Sequence, residues 1–195
     1  MSKVVVVVDT QADFMNADGA LSVAGADALA PAMRDYLARM SPAHTAAVLF
    51  TFDTHHRDIY PLSEEAKQFP IHCVRGEPGW RNVLSPDDVA PGVPTYRLEK
   101  GVFAMWEEPG LLVEPMRSPG QARDRDAFFA DLRAGGVAEA SVIGVAADFC
   151  VRWAIDGLVE RGFAVTVPAG LTAGIARPIA QVLLDDFAGR PVRLG

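Results

Sequence analysis

The sequence predicts an α/β fold, a single domain over 1-195 in which a doubly wound parallel sheet carries helices on both faces. Three observations predict it. Strand-like and helix-like segments alternate along the chain, the order that builds parallel βαβ units. The strand-like runs are continuously apolar and β-branched, as in Val4 to Val8, which suits strands covered on both faces. At 195 residues, 50% of them hydrophobic, the chain can bury one substantial core.

Each element follows in turn. Lys3 to Asp9 reads as the first strand. Ala26 to Met40 carries apolar residues at helical spacing (Leu29, Met33, Tyr36, Leu37, Met40), with Pro31 confined to the first turns. Ala46 to Phe52 is a second buried strand. The stretch 53-94 is irregular and rich in Pro, Gly, His and acids, and a loop that long is more often functional than idle. Thr95 to Leu98 is a third strand, followed by a second Gly- and Pro-rich stretch from Gly101 to Gly120. Asp124 to Arg133 is helical, Ala140 to Val145 a strand, and Cys150 to Arg161 a helix. Ala164 to Pro168 is a strand, Pro178 to Phe187 a helix begun by proline, and Val192 to Leu194 a short last strand.

Charge and cysteine usage exclude several functions. A net charge of -7 and the lack of a basic cluster flanked by aromatics argue against nucleic acid. Val4 to Val8 is too short for a membrane span and no cleavage-site pattern follows it. Two cysteines, Cys73 and Cys150, make no disulfide framework, so a reducing, cytoplasmic setting is expected.

Ligands of such folds bind beyond the carboxyl ends of the strands. Asp9, Asp53, Lys100 and the segment before Cys150 all close strands, so they should converge on one edge of the sheet. Cys150 stands at a strand-to-helix junction, where helix N–H groups favour a thiolate and could hold an oxyanion. By position alone a buried packing cysteine is nearly as good a reading. Asp9, partly desolvated at a strand end, reads as either a base or a turn cap, whereas Asp13 reads as a turn cap. Lys100 beside a carboxylate and a thiol would stabilise both anions.

A second constellation is Asp53-Thr54-His55-His56 with Glu64-Glu65 and Phe69-Pro70-Ile71-His72. Asp53 and His55 are two apart, so an extended segment points both to one side. With His72 and one acid they make a mixed N/O set suited to zinc, manganese or iron, against the alternative of a polar surface loop. Cys73, one residue from His72, should face away and pack.

Together these residues resemble the nicotinamidase branch of the isochorismatase-like cysteine hydrolases. The motifs run in order from Val8-Asp9-Thr10-Gln11-Ala12-Asp13-Phe14, through Asp53-Thr54-His55 and Phe69-Pro70-Ile71-His72-Cys73, to Lys100-Gly101 and Gly144-Val145-Ala146-Ala147-Asp148-Phe149-Cys150-Val151. The resemblance implies a Rossmann-like three-layer α/β/α fold and a catalytic triad of Asp9, Lys100 and Cys150. It implies a cis peptide between Val145 and Ala146 that aims the Ala146 N–H, with that of Cys150, into an oxyanion hole. It also implies one divalent metal ion on Asp53, His55, His72 and Glu65, with zinc the leading expectation. Pro61 stands where the commoner pattern has a third histidine, so Glu65 follows a glutamate variant and His56 is the fallback. Phe14, Phe69, Phe103 and Trp106, with Ala146, would line a slot for a flat ring. The segment Trp106 to Gly120 departs from the pattern and should shape the pocket mouth or a subunit contact. Relatives often form homo-oligomers, but no feature here specifies one.

The implied reaction converts nicotinamide to nicotinate and ammonia, a step of NAD salvage. Asp9 accepts the thiol proton, Cys150 forms a thioester, and a water activated by Asp9 or delivered from the metal releases the acid. One alternative keeps the triad but is metal-independent and acts on another small amide or ureido compound. Another is a binding module or redox-sensing thiol protein, which leaves Asp9, Lys100 and the histidines unexplained.

Overall fold

Five consecutive valines bury both faces of β1 (Lys3–Val8) in the computed structural model, which describes residues 2–117 and 120–195. Val4, Val6 and Val8 face one core, and Val5 and Val7 face the other. Beside β1 lie β2 (Thr45–Asp53) and β6 (Glu139–Val145), both parallel to it. The sheet continues outward from β2 through β3 (Thr95–Lys100), β4 (Leu112–Pro115) and β5 (Arg123–Asp124). On the other side β6 is followed by β7 (Ala164–Val167) and β9 (Val192–Leu194), with β8 (Thr172–Ala173) pairing the end of β6. The chain thus winds outward in both directions from the β1/β6 junction, a topological switch point with Asp9 and Cys150 just beyond its strands.

Helices cover both faces. The face of Val5 and Val7 takes α2 (Ala30–Ala38) through Met33 and Leu37, with Pro31 in the first turn as the sequence predicts. The opposite face takes α3 (Arg125–Ala134), α4 (Cys150–Glu160) and α5 (Ile179–Asp186) through Phe128, Phe129, Ile155, Leu158 and Val182. Asp124 caps α3 by accepting the Ala127 N–H at 3.0 Å. A short α1 (Ala12–Met15) follows β1.

Two parts of the predicted layout need correction. The sheet is mixed at one edge, because β4 runs antiparallel to β3 and β5 antiparallel to β4. β4 arises inside the stretch read as irregular; a four-residue strand between β3 and the two-residue edge strand β5, ending in Pro115, leaves little pattern to read. Ser118 and Pro119, near the end of that stretch, lie outside the described residues. The stretch 53–94 is ordered by four short 3₁₀ turns, Tyr60–Leu62, Glu65–Lys67, Pro78–Trp80 and Pro86–Asp88.

The switch point depends on one glycine. Gly144 pairs with Val8 at a φ of +116°, and a Cβ there would overlap the Val8 carbonyl oxygen. Gly144→Ala is therefore expected to destabilise the fold by about 3 kcal/mol or more, read as a lower urea midpoint. A variant with an unchanged midpoint would show that the strands can part without cost.

Candidate active site and metal-ligand cluster

The β2–β3 register sets Asp53 directly opposite Lys100, so two strand ends bring a buried carboxylate to a buried ammonium. Lys100 Nζ lies 2.8 Å from Asp9 Oδ2, 3.4 Å from Asp53 Oδ1 and 3.5 Å from Cys150 Sγ. Asp9, Asp53 and Lys100 are each at most 3% exposed. Burial opposes the charge on Lys100, but Asp53 and Asp9 outweigh it and hold the ammonium well above its ordinary range. Burial likewise works to raise Asp53, yet Lys100 and hydrogen bonds from His55 and His72 hold it well below the usual carboxylate range.

Cys150 is the first residue of α4, preceded by Phe149 with no side-chain cap. A helix start favours thiolate, but burial works against it. Burial pushes the thiol well above its ordinary range, with Lys100 opposing and Asp9 and Asp53 reinforcing the rise. Burial outweighs the small contribution of a helix terminus, so the sulfur holds its proton more tightly than a free thiol does and a base is needed to remove it.

The Val145–Ala146 peptide is cis. The Ala146 carbonyl accepts the Phe149 and Val151 N–H groups, both at 3.1 Å, while the Ala146 and Cys150 N–H groups have no backbone acceptor among the described residues.

Asp53, His55, Glu65 and His72 form the second cluster, their ligand atoms all within 4.8 Å of one another and all four residues buried. His55 Nε2 and His72 Nε2 each lie 3.1 Å from Asp53 Oδ2 and 3.4 Å from a Glu65 oxygen. His72 Nδ1 donates to the Pro70 carbonyl at 2.8 Å, which turns Nε2 toward the cluster. Burial works against a charge on His72, but bonds to Asp53 and Glu65 push its pKa up to about 10. Glu65 Oε2 has no hydrogen-bond partner among the described residues. Two imidazoles, two carboxylates and an orphaned buried oxygen fit a divalent cation. His56 is exposed and lies outside the cluster.

Loop polar groups brace this cluster. Gln11 accepts the Asp53 N–H at 2.7 Å and donates to the Asp53 carbonyl at 2.7 Å and the Trp80 carbonyl at 3.0 Å. Asp13, read as a turn cap, accepts the Ala20 N–H at 3.1 Å and the Cys73 N–H at 2.7 Å, tying two distant loops together. Cys73 is buried, as expected of a packing residue.

Of the ring-slot candidates, Phe14 packs on His72 at 5.1 Å between centroids. Phe69 and Phe103 meet at 6.0 Å, and both meet Phe149, at 5.3 and 5.5 Å. A cavity of about 350 Å³ opens beside Phe103, Glu65, Ala104 and Trp153. Trp106 is a correction: it packs on Phe129 at 5.0 Å and donates to the Trp153 carbonyl at 2.9 Å, seated where Gly157 leaves α4 without a side chain. Phe149 and Thr51 went unread. Phe149 directly precedes the cysteine, and Thr51 is the only hydroxyl between Ala46 and Phe52.

The isochorismatase domain family model matches residues 3–190. The nicotinamidase/pyrazinamidase of Mycobacterium tuberculosis is 30% identical over 193 residues, covering 98% of this chain and 97% of that protein. The pyrazinamidase of Pyrococcus horikoshii in complex with zinc superposes with a TM-score of 0.71 at 25% identity, covering 100% of this chain and 99% of that one. The N-carbamoylsarcosine amidase of Thermoplasma acidophilum shares the fold, with a TM-score of 0.70 at 21% identity, covering 100% of this chain and 95% of that one.

Proposed function

The chain belongs to the isochorismatase family, and from that premise we propose that it hydrolyses nicotinamide to nicotinate and ammonia. One observation carries this reading: a single buried lysine touches Asp9, Cys150 and Asp53, so the nucleophile and the ligand cluster share one wall. A metal-independent amidase has no use for two buried histidines facing two buried carboxylates.

Asp9 Oδ2 takes the proton from the Cys150 thiol, and Lys100 holds the negative charge that passes between them. The sulfur attacks the carboxamide carbon, forming an S–C bond and an oxyanion. The Ala146 and Cys150 N–H groups, which lack backbone acceptors among the described residues, receive that oxyanion. Asp9 returns the proton to the nitrogen as the C–N bond breaks and ammonia leaves. Water then cleaves the thioester, Asp9 taking its proton, and releases the acid and the free thiol. Asp53, His55, Glu65 and His72 would hold a divalent ion, zinc in this reading, and when bound it would supply a template for orienting the ring. Phe14, Phe69, Phe103 and Phe149 offer that ring its apolar walls.

The setting that fits is cytoplasmic salvage of the pyridine nucleotide NAD. Among the described residues no helix is long and apolar enough to cross a membrane. The deciding assay is ammonia release from nicotinamide by metal-stripped protein, with zinc, manganese and iron added back singly. Stripped protein is expected to be inactive, and zinc to restore turnover. Inertness with every metal, alongside cleavage of another small amide or ureido compound, would overturn the assignment in favour of the metal-independent alternative.

A further inference from the structure

The two carboxylate oxygens of Asp9 have different neighbours. Thr51, within β2, donates its only hydroxyl proton to Asp9 Oδ1 at 2.5 Å and accepts the Asp9 N–H at 3.2 Å. Asp9 Oδ2 instead lies beside Lys100 at 2.8 Å and accepts no directed hydrogen bond among the described residues. Asp9 also has a φ of 47°, a left-handed backbone rare outside glycine, so a partner that holds its N–H also holds the root of its side chain. Both residues are buried.

A threonine in a strand needs no such partners. Thr95 and Thr172 are in strands too, and their hydroxyls have none among the described residues. Thr51 spends donor and acceptor on one residue of a neighbouring strand end, across a separation of 42 positions. The Asp9 N–H fills one lone pair of the hydroxyl, and its one proton goes to Oδ1, the acceptor at 2.5 Å.

We propose that Thr51 is a positioning residue for the base: by engaging the N–H and Oδ1 of Asp9, it leaves Oδ2 as the single oxygen that takes the Cys150 proton, and fixes that oxygen on the side of the thiol. The inference rests on reading Asp9 as the base of the hydrolysis.

The test compares Thr51→Val, which keeps the shape and removes the hydroxyl, with Thr51→Ser, which keeps the hydroxyl and loses a methyl. Two rates are measured on metal-loaded protein. The first is nicotinamide hydrolysis, with kcat and KM separated. The second is alkylation of Cys150 by iodoacetamide, followed by mass spectrometry; an S–C bond forms, iodide leaves, and the thiol proton passes through Asp9 to solvent. Thr51→Val is expected to lower kcat by roughly 10–100-fold, part of the usual yield of general base catalysis. Its KM should stay within about twofold, the pattern of an interaction realised in the transition state. Alkylation should slow about tenfold, and Thr51→Ser should recover both rates to within about threefold.

A wild-type kcat in Thr51→Val overturns the proposal, as does a Thr51→Ser that falls equally far. Should Thr51→Val fail to fold, Thr51→Ala and Thr51→Ser differ by the hydroxyl alone, and equal rates in those two overturn it as well. Alkylation needs no amide. A protein inert toward nicotinamide whose alkylation still depends on the Thr51 hydroxyl loses the substrate assignment and keeps the role of Thr51.

Discussion

Replacing Cys150 with alanine abolishes ammonia release from nicotinamide while the protein still binds its metal ion. The expected loss in kcat is roughly 10⁴–10⁶-fold, the scale seen when the nucleophile of a covalent mechanism is deleted. The two halves of the result have separate causes. Among the described residues, Lys100 makes polar contacts with the Asp9 and Asp53 carboxylates and the Cys150 sulfur, and Cys150 is the thiol among them. Cys150 contributes no atom to the cluster of Asp53, His55, Glu65 and His72, so metal stoichiometry is untouched. The substitution removes one buried sulfur and leaves the backbone N–H groups in place, so stability should change by only about 1 kcal/mol. Ammonia assay and metal analysis on one preparation check both halves. Ammonia release retained in the alanine variant would end the thioester mechanism.

Lys100→Met has the larger structural effect. It removes the cation that contacts both the buried Asp9 and Asp53 carboxylates and keeps the aliphatic stem. Deleting one partner of a buried ion pair typically costs about 3–5 kcal/mol, because the remaining charge stays desolvated. For a chain of this size each kcal/mol moves Tm by about 2–4 °C, so a fall of roughly 6–20 °C is expected in the metal-free protein. With metal bound the fall should be smaller, since the ion supplies positive charge beside Asp53 but not beside Asp9. Activity of the metal-loaded protein should be lost, because the thiolate loses its counter-charge. Melting curves with and without metal measure this directly, and a Tm within 2 °C of wild type would refute a structural role for the lysine.

The parts of this site that could be read in the sequence sit where pattern and chemistry coincide. Asp9, Asp53 and Lys100 close apolar strands, and a parallel sheet delivers strand ends to one edge whatever the loops do. The histidine segment is legible because Asp53, His55 and His72 stand close together in the chain; the resemblance already points to Glu65, and the turn at Glu65–Lys67 buries it in the cluster while His56 stays exposed. What escaped depends on partners far apart in sequence. Trp106 looks like a slot residue until Gly157 shows the notch it occupies. Thr51 looks like an ordinary strand former until Asp9 folds against it. β4 is too short and too near a proline to declare itself. The effect of burial on Cys150 escapes the sequence, because position at a helix start is visible there whereas depth of burial is not.

That burial bears on durability as well as on reactivity. Peroxides attack sulfur in its anionic form, and the path to sulfenic and then irreversible sulfinic acid begins there. Burial, which leaves Cys150 7% exposed, favours the neutral thiol and so disfavours the anionic form that peroxides attack. In the proposed reaction the anion forms as Asp9 takes the proton, beside the amide carbon that receives the electron pair, so the same burial that demands a base also shields the sulfur between turnovers.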